Sequence, residues 1–172
     1  QEATDLQPKN LQAWAMLAMV QMQQNEMDDV EKVILPKMES IAGTADDYFI
    51  QITRAQLWMK RGSDLSAKKT AREAFIRASM LRPDIPGVKD MILQLDIAMN
   101  DQAAAELHAR QVLRTSRKHA LANYVMGSLR LQEGAYGEAE DFLRRSVETN
   151  PSAAALNDLA EVLRRIRKFD ES

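Results

Sequence analysis

The chain has 172 residues, of which 45% are hydrophobic and 28% charged, with five Pro and six Gly. This balance excludes an intrinsically disordered segment and suits one ordinary domain or a short array of repeats. A formal net charge of −2 provides no global field for nucleic acid, the absence of cysteine excludes disulfides and thiolate chemistry, and the longest apolar stretch, Trp14 to Val20, is too short to span a bilayer.

Helix formers dominate and no run alternates as a strand would, so the expected fold class is all-α. Residues 1–10 (QEATDLQPKN) read as the tail of an earlier helix. A first full helix holds Trp14, Leu17 and Ala18 and ends at Asn25. Its partner starts near Asp28 and carries Pro36 in its interior. There the missing N–H and the ring should kink or stop the helix, at a cost of about 3 kcal/mol if it were forced straight. The next pair runs from about Asp47 to Arg61, ended by Gly62, and from about Leu65 to Leu81. The acidic pairs Asp28-Asp29 and Asp46-Asp47 fall at or just before helix starts, where they cap open amides and complement the helix dipole. Further on, Asn100 and Gly134 punctuate two more pairs, and Pro151 precedes a last helix bearing Leu159, Val162, Leu163, Ile166 and Phe169.

One pattern recurs at a fixed spacing. Ala71, Phe75, Ala78 and Pro83 are followed 34 residues later by Ala105, Ala109, Val112 and Arg117, and again by Ala139, Leu143, Ser146 and Pro151. A period of this size marks stacked helical units that hide their apolar faces against one another. The residues resemble the tetratricopeptide repeat family, whose pattern is W-x2-L-G-x2-Y, then A-x3-F, then P. Residues 120–153 carry the resemblance best, with Gly127 at the small position facing Ala139, and with Gly134, Tyr136 and Pro151. Trp14, Leu17 and Ala18 reproduce its first element, whereas Leu93 at the small position, Arg117 in place of the closing Pro and Arg54 in place of Leu depart from it.

The resemblance implies a right-handed α-solenoid of antiparallel helix pairs. It gives one array over 1–172: a tail of a preceding repeat at 1–10, repeats at 11–44, 45–85, 86–119 and 120–153, and the first helix of a further repeat at 154–172. The third segment, 45–85, carries about one extra turn. The whole reads as a fragment of a longer repeat protein. The resemblance also implies a concave groove lined by the second, fifth, ninth and twelfth positions of each first helix. From these positions the candidate binding residues are Met19, Met22, Phe49, Ile52, Gln56, Met59, Gln94, Ile97, Leu121, Tyr124, Ser128 and Leu131. Chaperone-binding members of the family hold a C-terminal carboxylate with Lys and Asn at the fifth and ninth positions. Here those places hold Ala15 and Met19, Ile52 and Gln56, Asp90 and Gln94, and Tyr124 and Ser128, so that clamp is not expected.

Nothing in the chain assembles a catalytic constellation. His108 and His119 lie eleven apart with no Cys, which is no metal spacing, and they read as structural. Arg164, Arg165, Arg167 and Lys168 read as the solvated face of the last helix. The expectation is a non-catalytic scaffold or adaptor, without metal or cofactor, that binds another protein as a peptide or amphipathic helix in the groove. Nucleic acid and membrane insertion are not expected, and the compartment, cytoplasmic or periplasmic, is left open. Two alternatives stand beside it. One is a regulatory or spacer segment of a larger enzyme or envelope export assembly, and the other a self-assembling module docking through its C-terminal helix.

Overall fold

The structure, a computed structural model, describes residues 8–170. The expectations for Ala3, and for the side chains of Lys168 and Phe169, lie outside what is described. The described residues form nine helices and no strand. The helices are α1 (Leu11–Gln23), α2 (residues 27–42), α3 (Tyr48–Arg61), α4 (Leu65–Leu81), α5 (Pro86–Ala98), α6 (Gln102–Thr115), α7 (Ala120–Gln132), α8 (Tyr136–Thr149) and α9 (Ala153–Asp170). The chain divides within α5 into two compact units, Gln1–Leu95 and Asp96–Ser172.

Helix starts follow local chemistry. Asn10 accepts from the amides of Gln12 and Ala13 at 3.0 and 3.3 Å, Asp47 from Phe49 at 2.8 Å, Asp64 from Ala67 at 2.7 Å and Asp101 from Ala104 at 3.2 Å. Each cap is worth about 1 kcal/mol. His119 does the same through Nδ1, accepting from Ala122 at 3.3 Å. Asp28 and Asp29 stand in the first turn of α2 but cap nothing, because Asp28 is taken by Lys32 and Arg61, each at 2.7 Å.

Helix ends carry the period in the backbone. Asn25, Asn100 and Gly134 all adopt left-handed backbone, at φ 68°, 53° and 78°. In each case the next amide reaches five residues back: Glu26 to Gln21, Asp101 to Asp96 and Ala135 to Arg130, at 2.9–3.0 Å. This double-bonded end closes the last carbonyls of a helix. The second helices end at Arg82, Ser116 and Asn150, 34 residues apart, each donating to the carbonyl four residues back at 2.9 Å. Gly62 also ends its helix, but at φ −159°, an extended backbone open to any residue.

In the first unit α1 packs on α2 and α3, and α3 on α4. The core joins Ala18, Met22, Val30, Ile34, Leu35, Met38, Ile50 and Leu57. Pro36 neither stops α2 nor breaks it. Residues Val30–Ile34 form a π-helical turn, in which Leu35 donates to the carbonyl of Val30, and the α-helix Leu35–Ala42 resumes with Pro36 in its first turn. A first turn needs no amide from Pro36, and the wider turn before it carries the carbonyls away from the ring.

In the second unit α6 packs on α7, α7 on α8, and α8 on α9. Ala105, Ala109, Val112, Ala139, Leu143 and Ser146 are all buried, as are Ala71, Phe75 and Ala78 of the first unit. The three helical members of each 34-residue column therefore mark inward faces, while Pro83, Arg117 and Pro151 are exposed. Gly127 makes its closest approach to Leu143: a Cβ at 127 would lie 2.6 Å from Leu143 Cγ and 3.2 Å from its backbone N. The apolar stripe of α9 also points inward. Val162 is fully buried, and Leu159 and Ile166 pack on the cluster it forms with Ala139 and Leu143, while Leu163 is half-buried and Leu156 of the same helix is exposed.

One device recurs that the sequence pattern did not announce. Trp14 Nε1 donates to the carbonyl of Pro8, Gln51 Nε2 to that of Ala45 and Asn123 Nδ2 to that of Arg117, at 3.0, 3.0 and 2.9 Å. Each bond spans six residues and ties the fourth residue of a helix region to the turn before it. A shared register position holding a side-chain N–H in all three places was the available signal.

Candidate functional site

Helix α1 (LQAWAMLAMVQMQ) contains no charged residue. Its inner face fits the core through Ala13, Ala18 and Met22. Its outer face is also apolar: Met16, Met19 and Val20 are 62%, 45% and 48% exposed. The spacing i, i+3, i+4 makes them one stripe. An uncharged surface helix with an exposed apolar stripe is unusual for a water-facing element.

The stripe borders a recess of about 440 Å³ in the first unit. Met19 and Met22 come from α1, Gln56, Met59 and Lys60 from α3, and Met91 from α5. Four of the sequence-predicted residues thus meet at one place: Met19, Met22, Gln56 and Met59. Met22 forms its floor, at 4% exposure, and belongs to the core as well.

A second, smaller recess of about 100 Å³ lies in the second unit and gathers three more: Ile97, Tyr124 and Ser128. Its wall mixes apolar side chains with Asp96, Asn100 and Asp101, and Gln102 Nε2 donates to Gln132 Oε1 at 2.8 Å. Burial pushes the Tyr124 phenol above its ordinary range, the charge of Asp158 adds to this, and a hydrogen bond with Ser128 opposes it. Beside this recess Asp96, fully buried, meets His108 Nδ1 at 2.6 Å. The structural reading of His108 gains a partner twelve residues away in sequence, which spacing alone did not suggest.

The remaining candidates stand elsewhere. Phe49 packs against the core of the first unit and Leu131 against that of the second. Ile52 and Leu121 are half-buried and Gln94 is exposed, and none of the three lines either recess. Away from the first recess, α2 and α3 are joined by ion pairs. Arg61 pairs with Asp28 at 2.7 Å and Glu31 at 2.6 Å, and Arg54 pairs with Glu39. In the second unit Arg130 is only 12% exposed and gathers Glu106, Glu133 and Glu138, joining α6, α7 and α8. Arg164 and Arg165 clamp Glu161, whose carboxyl is held down to about 2.

Among the described residues no group of three His, Asp or Glu is placed to hold a metal ion, and no helix is long and apolar enough to cross a membrane. The larger recess offers thioethers, amides and one ammonium, groups that hold apolar and hydrogen-bonding surface. No protein-family model and no curated protein matches the chain.

Proposed function

We propose that the chain is a non-catalytic protein-interaction module of tetratricopeptide-repeat type, a right-handed array of antiparallel helix pairs. It captures a peptide or amphipathic helix on the faces of its first helices. The observation that carries this reading is the apolar outer stripe of the uncharged helix α1, continuous with the methionine-lined recess. Soluble proteins rarely leave such surface open unless it receives a partner. Support for the repeat assignment comes from the 34-residue period in the helix ends at Arg82, Ser116 and Asn150 and in the buried columns. Methionine is flexible and polarizable, which suits a surface that accepts several apolar side chains.

The test is peptide phage display on the purified chain. Selected peptides are then remeasured by calorimetry on wild type and on the Met59→Ala, Tyr124→Ala double variant. The reading predicts peptides that bind the wild type and lose at least about tenfold in affinity on the variant, with helicity by circular dichroism unchanged. No selected binder, or affinity unchanged in the variant, contradicts it.

A further inference from the structure

The larger recess has a charge asymmetry that narrows the partner. Helix α3 carries three bases besides the terminal turn's packing: Arg54, Lys60 and Arg61. Arg54 is held by Glu39, and Arg61 by Asp28 and Glu31. Lys60 lines the recess and has no ion pair among the described residues. No acid lines the recess with it. Of the acids of α2, Asp28 and Glu31 are engaged on Arg61 and Glu39 on Arg54, and Asp29 does not line the recess.

Size separates the occupants. About 440 Å³ is far more than a bare ion fills and falls in the range of sites for whole apolar groups. The walls are themselves half open, with Met19 and Met59 at 45% and 42% exposure. A small free ligand would leave much of its surface wet there, whereas a helix brings its own cover and lies along the Met16–Met19–Val20 stripe.

We infer that this recess receives an acidic amphipathic helix of another protein, whose apolar side chains enter among Met19, Met22, Met59 and Met91 and whose carboxylate meets Lys60. This rests on the protein-binding reading above and adds the sign of the partner's charge. Lys60 acts at the rim, so it sets which partner is accepted more than how tightly.

The test uses two fluorescein-labelled, amidated 18-residue helical peptides. Both have Leu at i, i+3, i+4 and i+7 positions, and they differ only in carrying Glu or Lys beside that stripe. Binding is read by anisotropy at about 50 mM salt, where screening is weak. The wild type should bind the Glu peptide at least about fivefold tighter than the Lys peptide. Lys60→Glu should reverse that order, and Met59→Glu should abolish binding of both. Both sites are exposed, and circular dichroism verifies the fold of each variant. Binding that Met59→Glu abolishes but Lys60→Glu leaves unreversed overturns the charge assignment alone and spares the protein-binding reading. Binding indifferent to Met59→Glu overturns the recess as the site, and failure of both peptides to bind overturns the inference.

Discussion

The two units solve the same packing problem with different regularity. The second unit keeps the period closely: its helices start at Gln102 and Tyr136, 34 residues apart, and its helix ends repeat bond for bond. The first unit breaks the period with a π turn before Pro36 and a longer 45–85 segment, and it holds the larger recess and the bare stripe of α1. The regular region buries Val162, Leu143 and Ala139 fully, and its exposed large apolar residues, Ile97, Leu107 and Leu156, come from three different helices. The irregular region leaves Met16, Met19, Val20 and Met59 facing water. The irregular unit gathers such residues in one helix stripe beside the larger recess, which is why the main binding assignment falls on the first unit.

The strongest way to break this contrast is to open the regular core. Leu143→Ala removes a fully buried side chain beside Gly127 and should cost about 2–5 kcal/mol in denaturant unfolding. Gly127→Ala should cost about 1–3 kcal/mol by overpacking, despite a helix-propensity gain of about 1 kcal/mol. In the Leu143→Ala background the same change should be neutral or stabilising, because the space it needs is then free. Additive losses in a double-mutant cycle would show that residues 127 and 143 do not share that space.

Asn123→Asp probes the six-residue tether. It replaces a buried donor, bonded at 2.9 Å to the carbonyls of both Arg117 and His119, with a carboxylate facing those carbonyls. The cost should be about 1–3 kcal/mol at neutral pH. Burial raises the folded-state pKa of such an introduced acid above its unfolded value. The stability is therefore retained below about pH 4, where the acid is protonated in both states, and is lost as pH rises. A pH-independent loss would contradict the tether.

Smaller effects sharpen the helix ends. Gly134→Ala should cost about 1–2 kcal/mol, since φ 78° disfavours a side chain, whereas Asn100→Gly at φ 53° should be neutral or stabilising by a few tenths. Gly62→Ala, at an extended φ with 3.4 Å to Ala67 Cβ, should be nearly silent, and a loss as large as that at Gly134 would contradict the backbone assignment. The smallest effect concerns α9. The Glu161 carboxyl sits at about 2 in the folded chain, below its ordinary 4.5, because Arg164 and Arg165 bond it. Its contribution is therefore present above pH 4.5 and is lost as pH falls toward 2, so residues 161–165 should gain amide exchange in that window.

Much of the fold was legible because helix boundaries depend on nearby residues. Asp47 and Asp64 cap where they stand, Asn25, Asn100 and Gly134 take the left-handed turn, and α3 and α4 begin and end within a residue of expectation. What was not legible depended on partners far along the chain. A π turn absorbed Pro36 because buried Val30, Ile34 and Leu35 hold their places in the core. Gly127 comes closest to Leu143, one turn beyond Ala139, because side chains on facing helices interleave. The Asp96–His108 pair joins two helices across twelve residues. Register brought four candidate residues to one recess and three to another. It could not foresee that Phe49 and Leu131 would pack against their units' cores, since a position toward a groove and a position toward a neighbour differ by a modest rotation of the helix.

The most direct measurement is methionine footprinting by brief peroxide exposure, read by mass spectrometry, with and without a phage-selected peptide. Met19 and Met59, 45% and 42% exposed in the free chain, should oxidise readily alone and become protected by the peptide. Met80, 75% exposed and outside the recess, should oxidise equally in both conditions. Protection absent from Met19 and Met59, or shared equally by Met80, would contradict the assignment of the methionine recess as the binding surface.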